Sequence, residues 1–200
     1  MKKFFTKRNI FLLVGAVLAI AAFFLAFGAS LTLTVSIPMV GEGTSTLTNV
    51  IIGVCGSYRQ MDLLKYTENL FPEIDKYKKT EIDRKYLVTK FIPTIQTLFQ
   101  KQCTQDNGQQ GGNFLLGCDG KLFEIQNDYS VLEKSEGFAC IGCGEVAALG
   151  SLYATTKNCK KMTPKNHIIC ALEAAEKNCM GVQRPFIIVN SKNNEVEVIE

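Results

Sequence analysis

A chain of 200 residues with 46% apolar and 20% charged side chains can bury one real core, which excludes a disordered, collagen-like, coiled-coil or Cys-dense miniature protein. The formal charge of +3 is unevenly placed, because residues 1–30 hold Lys2, Lys3, Lys7 and Arg8 with no acid and the rest nets −1. A nearly neutral body is not a nucleic-acid footprint, so no nucleic-acid partner is expected.

The chain divides into a basic-hydrophobic head, 1–30, and a body, 31–200. From Ile10 to Ala29 the head carries no charge over twenty residues, IFLLVGAVLAIAAFFLAFGA. As a helix this run is about 30 Å long, one hydrocarbon thickness, with its backbone satisfied internally. A buried core helix and a signal peptide are the other readings, the latter with Ala26-Phe27-Gly28 as an imperfect cleavage site. The run is long for a signal core, so an uncleaved single-pass anchor is expected. The four preceding basic residues keep the N-terminus in the cytoplasm; without a true anchor the protein is cytoplasmic.

The body begins with an alternating strand over 31–37, ended by Pro38, and a polar connection over 41–48. Residues 49–55 (NVIIGVC) read as a more buried strand. Gly56-Ser57 breaks it, and a helix starting near Tyr58 is expected to run to just before Pro72. After the charged stretch 76–84, Leu87, Phe91, Ile95 and Leu98 mark a second helix, kinked at Pro93. Residues 100–112 are expected to be a mobile loop. Residues 113–117 and 121–126 form a hairpin around Asp119-Gly120, whose φ > 0 tolerance suits a type I′ turn. A short strand is expected over 138–141, followed by a helix presenting Val146, Leu149, Leu152 and Tyr153. Thr163-Pro164 supplies an N-cap and a first-turn proline for a helix burying Ile168, Leu172, Ala175 and Cys179, ended by Gly181. Strands over 186–189 and 195–199 close the chain. Two stacked sheets with a helix pair on each outer side would bury all these faces.

Several residues invite chemistry. Cys140-Ile-Gly-Cys143 is a C-x-x-C, but Cys140 falls in a strand, and no second pair at zinc-site spacing follows. Structural thiols are therefore expected, with no metal and no cofactor. Eight cysteines leave the compartment open between free thiols and exported disulfides, with the reduced form favoured. His167 is expected to be a solvated first-turn residue, Glu145 an acid favoured by its helix dipole, and Lys160-Lys161 a solvated pair. Gly111-Gly112 fits no phosphate loop.

The ordered set NVIIGVCGSYRQMDLLKY, YLVTKFIPTIQ, GGNFLLGCDGKLFEIQNDY, CIGCGEVAALGSLYAT and TPKNHIICALEAAEKNCMGVQRPFIIV resembles a proteasome β-type subunit. It is most similar to the small bacterial and phage members akin to HslV, over residues 49–189. The resemblance implies an α+β, four-layer αββα Ntn-hydrolase fold, ring-type homo-oligomers and threonine-type peptidase activity on a peptide or protein substrate. HslV works with an ATP-dependent unfoldase. In such enzymes an N-terminal Thr supplies hydroxyl nucleophile and amine base together. A Lys and an Asp tune the amine, and a backbone N–H receives the oxyanion. By resemblance Gly56 gives that N–H, Val54, Ser57 and Tyr58 flank the substrate pocket, and the serine supporting the nucleophile is replaced by Cys143. The family's Asp falls near Asn178, which cannot ionise.

The start of the chain departs from the pattern. The nucleophile is expected about forty to forty-five residues before Gly56, near residue 10, on strands rising ~3.3 Å per residue. Thr6 is the only Ser, Thr or Cys before Ser30; no Asp or Glu precedes Glu42, and no Lys lies between Lys7 and Lys65. Ser30 sits too close to Gly56 to leave room for a first hairpin. The expectation is a pseudoenzyme whose catalytic hairpin is replaced by the anchor. An active peptidase with an unassigned nucleophile and an exported disulfide-bonded protein are the alternatives.

Overall fold

A computed structural model describes residues 11–12, 50–74, 82–102, 105–118, 120–190 and 195–200. The nine strands among them are β1 Phe11–Leu12, β2 Ile51–Cys55, β3 Gln105–Asp106, β4 Gln109–Gln110, β5 Asn113–Cys118, β6 Lys121–Ile125, β7 Val131–Glu133, β8 Phe186–Asn190 and β9 Glu195–Ile199. The helices are α1 Tyr58–Tyr66, α2 Arg84–Tyr86, a π turn Leu87–Phe91, α3 Ile92–Lys101, α4 Glu145–Asn158 and α5 Pro164–Asn178.

Two antiparallel sheets carry the architecture, in the orders β2-β5-β6-β7 and β1-β8-β9. Strand alternation sorts their side chains into layers. Val50, Ile52, Val54, Phe114, Leu116, Phe123 and Ile125 meet Met61, Leu64, Leu87, Phe91, Ile95 and Phe99 in the core under α1 to α3. Ala148, Leu152, Ile168, Leu172 and Ala175 meet Phe186 and Ile188 under α4 and α5. The opposite faces, Ile51, Leu115 and Leu122 with Val189, form the layer between the sheets, joined by Ala139 and Ile141. Helix, sheet, sheet and helix layers are thus all present, and β2 is apolar on both faces because it is buried on both.

Several expectations are corrected. Phe11 and Leu12, the second and third residues of the apolar run, are not helical: they pair antiparallel with Asn190 and Val189. A strand therefore does sit where the first hairpin was expected to be missing. The rest of the expected anchor, the strand at 31–37 and the connection at 41–48 lie outside the described residues. Among the described residues no helix is long and apolar enough to cross a membrane.

Helix α1 stops at Tyr66 rather than before Pro72, because extended Thr67 caps it and Asn69 turns the chain at φ 55°. Leu70 and Phe71 then reach the core from outside a helix. Pro93 causes no kink of the expected kind. A proline ring clashes with the carbonyl four residues back; here the π turn precedes it, and the Ile92 N–H reaches the Leu87 carbonyl five residues back. Pro93 then occupies the first turn of α3, where no N–H is needed. Phe99, not Leu98, completes the buried stripe. The expected loop at 100–112 contains the hairpin β3–β4, turned by Asn107 and Gly108 at φ 49° and 78°. It is tied down: the Gln110 N–H donates to Asn127 O, and its amide Nε2 to Gln126 O. Residues 138–141 form no strand, though Ala139, Cys140 and Ile141 are buried; β7, unforeseen, pairs with β6 instead. The hairpin β5–β6, the Thr163 cap of α5 and the pair β8–β9 follow expectation.

Candidate functional site

The strand-to-helix turn after β2 is defined by backbone contact. Gly56 has φ 113°, a region that L side chains rarely adopt. A Cβ on Gly56 would lie 2.4 Å from Gly111 O, and one on Gly112 would lie 1.8 Å from Cys55 O. The diglycine 111–112 is thus the seat of the turn. Gln60, fully buried, fastens it by accepting the Gly111 N–H at 3.1 Å. Ser57 caps α1, its Oγ accepting the Gln60 N–H at 3.3 Å.

The expected site residues separate. Gly56 is exposed, Ser57 half-buried and Tyr58 on the surface, all on one turn. Val54 is buried in the helix-side core. Its neighbour Cys55 faces the layer between the sheets instead. Thr6 and Ser30 lie outside the described residues. Asn178 donates its Nδ2 to Ala174 O, turning back on its own helix.

Cys143 is brought to this end of the sandwich by the turn into α4. Gly142 takes φ 104°. At Gly144 a Cβ would come within 2.8 Å of both Ala175 Cβ and Val182 Cγ2. That close approach brings the turn carrying exposed Cys143 beside the C-cap of α5, which is Cys179. Burial, then Cys179, and then Cys55 push the Cys143 thiol up to about 11. Burial, then Glu145, raise Cys55 as well. Burial and Glu145 push Cys140 up to about 12, with Lys134 opposing. These thiols are protonated at neutral pH and are weak nucleophiles. All seven described cysteines are free thiols, and no cluster that could hold a metal ion occurs among the described residues.

An ion pair borders the thiols. Glu124 is buried directly opposite Leu115, and its Oε2 meets Lys134 Nζ at 2.5 Å. Glu145 stands in the first turn of α4, as expected, yet burial and Glu124 raise its carboxyl, and Lys134 counters them. Neither the seat at Gly111-Gly112 nor the packing of the Cys143 turn beside Cys179 is legible in the sequence. The adjacent glycines were the one available signal for the first; nothing local marks the second.

The face of α4 and His167 are further corrections. Ala148 and Leu152 are its buried residues, whereas Val146, Leu149 and Tyr153 are exposed. His167 is buried rather than solvated, and its Nδ1 lies 2.9 Å from Thr155 Oγ1. Burial lowers its pKa below the usual 6.5, and a hydrogen bond with the Met162 backbone partly opposes this. The unfolded chain then binds the proton more readily, so the stability from neutral His167 is present above 6.5 and lost as pH falls through the lower folded value. The expected result is a melting temperature that drops between pH 7 and 5. In His167→Asn, whose amide can still face Thr155, part of that slope should vanish; an unchanged slope in thermal melts refutes the assignment.

No family model and no curated protein matches this chain. Solved structures do. Anbu (ancestral beta-subunit) from Yersinia bercovieri is 12% identical with a TM-score of 0.56, covering 86% of this chain and 75% of that one. Thiobacillus denitrificans BPH in complex with epoxomicin is 15% identical with a TM-score of 0.52, covering 76% of each. The chain therefore has the proteasome-like Ntn-hydrolase fold.

Proposed function

We propose that this chain is a non-catalytic protein on the Ntn-hydrolase fold, working through self-association and partner binding and held to a membrane by its N-terminal apolar run. The observation that carries the non-catalytic reading is Asn178. The resemblance puts it near the family's acid; it cannot ionise, and it spends its amide on Ala174 O. The sequence supports it, with no Asp or Glu before Glu42 and no Lys between Lys7 and Lys65 to tune an N-terminal amine. Cys143, which the resemblance puts in the place of the supporting serine, carries a thiol, a weaker donor than a hydroxyl.

Self-association is supported by the outer face of α4, where Val146 is 86% and Tyr153 53% exposed. Contiguous exposed apolar groups mark contact surfaces. The expected result in light scattering is an oligomer of the full chain that shifts toward monomer in Val146→Glu/Tyr153→Glu. Membrane attachment rests on composition. Residues 13–29 remain uncharged beyond the strand β1, about 26 Å as a helix and near the lower limit for a span. Full-length protein should pellet with membranes through alkaline carbonate, and Ala19→Arg/Ala21→Asp should release it.

One observation favours a second reading. Strand β1 lies beside β8, so the N-terminal segment does enter the sheet. An active peptidase would then require cleavage after Phe5 to free Thr6 as nucleophile. Purified full-length chain tests both. The expected results are an intact Met1 by mass and no hydrolysis of a fluorogenic peptide above buffer. A mature chain beginning at Thr6, with hydrolysis blocked by epoxomicin, establishes the second reading and removes the first.

A further inference from the structure

Cys143 and Cys179 are separated by 36 residue steps, yet the packing of Gly144 against Ala175 and Val182 brings the two segments that carry them together. Gly144 sits so close to Ala175 and Val182 that no side chain fits between them. The Cys179 N–H donates to Ala175 O, and the Val182 N–H donates to Cys179 O, so the residues flanking that contact also fix Cys179. Both cysteines sit outside helical backbone. Cys143 lies in a glycine-flanked turn, and Cys179 is an extended C-cap at φ −137°. Small backbone shifts at such positions can bring two sulfurs to bonding distance without breaking a helix. Cys143 is exposed and Cys179 half-buried, so an oxidant reaches the first and the second is placed to follow.

We propose that Cys143 and Cys179 are a reversible disulfide site, a redox-responsive clamp joining the turn into α4 to the end of α5. The oxidant is a small-molecule disulfide. The Cys143 thiolate attacks one of its sulfurs, forming a mixed disulfide and expelling one thiolate. The Cys179 thiolate then attacks Cys143 Sγ and expels the second. Two electrons pass to the oxidant, and the two thiol protons end on its two released thiols. Adjacency, not acidity, selects the pair, since Cys143 is no activated thiolate. The bond closes a loop across two helices and restrains the unfolded chain. The inference is independent of whether the fold is catalytic.

The test uses the purified full-length chain and oxidised glutathione as probe. After alkylation of remaining thiols and unreduced tryptic digestion, peptide 135–157 should be joined to peptide 178–192, since trypsin does not cut before Pro185. Fragment spectra should place the link on Cys143 rather than Cys140. Oxidation should raise the melting temperature by about 5–10 °C, reversed by dithiothreitol. Cys143→Ser and Cys179→Ser should each lose link and shift, while Cys55→Ser keeps both. The proposal is overturned if Cys143 stops at the glutathione mixed disulfide, pairs with Cys140 or Cys55, or remains fully alkylatable. Because the link is read on the wild-type chain, a serine variant that misfolds leaves the outcome decided.

Discussion

Gly112→Ala is expected to abolish the folded state or lower its melting temperature by more than about 10 °C. The new Cβ would lie 1.8 Å from Cys55 O, 2.9 Å from Cys55 C and 3.1 Å from Gly56 Cα. All three are backbone atoms of a turn already held at φ 113°, so no side chain can rotate away. Relief requires β2 and β5 to part, and their ladder runs through this point, Cys55 opposite Asn113. Strain of this kind is among the few causes of losses above about 4 kcal/mol, a large share of a total near 5–15 kcal/mol. For a domain this size, 4 kcal/mol corresponds to roughly 8–16 °C. Gly108→Ala is the control, because a Cβ there meets nothing within 4 Å, although φ 78° carries its own modest strain. Melting curves of both variants decide the matter. Equal shifts would show that turn strain alone, and not the contact between the two backbones, is what costs stability.

Phe91→Ala is expected to cost about 3–5 kcal/mol, the range for truncating a buried aromatic. Phe91 is fully buried and ends the π turn, and its ring stacks on Phe71 at 4.9 Å between centroids. Its loss opens a cavity between the four-stranded sheet and its helices and strips Phe71 of its partner. Tyr86 lies nearby in sequence and anchors the same helix, its hydroxyl donating to Pro72 O at 3.0 Å. The surrounding chain is therefore poorly able to collapse into the space. Phe91→Leu should recover more than half of the loss, since it refills most of the volume. Urea denaturation with unchanged m-values measures both; a loss under about 1 kcal/mol for the alanine variant would contradict the close packing described here.

The comparison between α5 and α4 shows what could be read locally. Helix α5 was legible because its signals are short-range: Thr163 caps it, with Pro164 at the first turn and Ile168, Leu172 and Ala175 at 4 and 3 residue steps. Helix α4 has large side chains at Val146, Leu149 and Tyr153, which imitate a buried face. Its true buried residues are small or isolated, Ala148 and Leu152, because α5 packs too closely for more. His167 follows the same logic, since a polar first-turn residue reads as solvated until another helix covers it. The Asn107-Gly108 turn is a local signal too, but strands of two residues each leave no alternation to flank it.

By itself the sequence determined the elements whose causes lie within a few residues: the twice-buried strand β2, the hairpin β5–β6, the capped helix α5, and the order that makes a four-layer sandwich. It also determined that no Asp or Glu precedes Glu42 and no Lys lies between Lys7 and Lys65, because residue types can be counted without a fold. Tertiary structure alone decided which faces are buried, that Phe11 and Leu12 join a sheet, that Gly112 seats the turn at Gly56, and that the turn carrying Cys143 packs beside the end of α5. Those facts depend on segments distant along the chain approaching to van der Waals contact. Hydrophobic pattern fixes that a face must be covered, whereas only packing fixes by what.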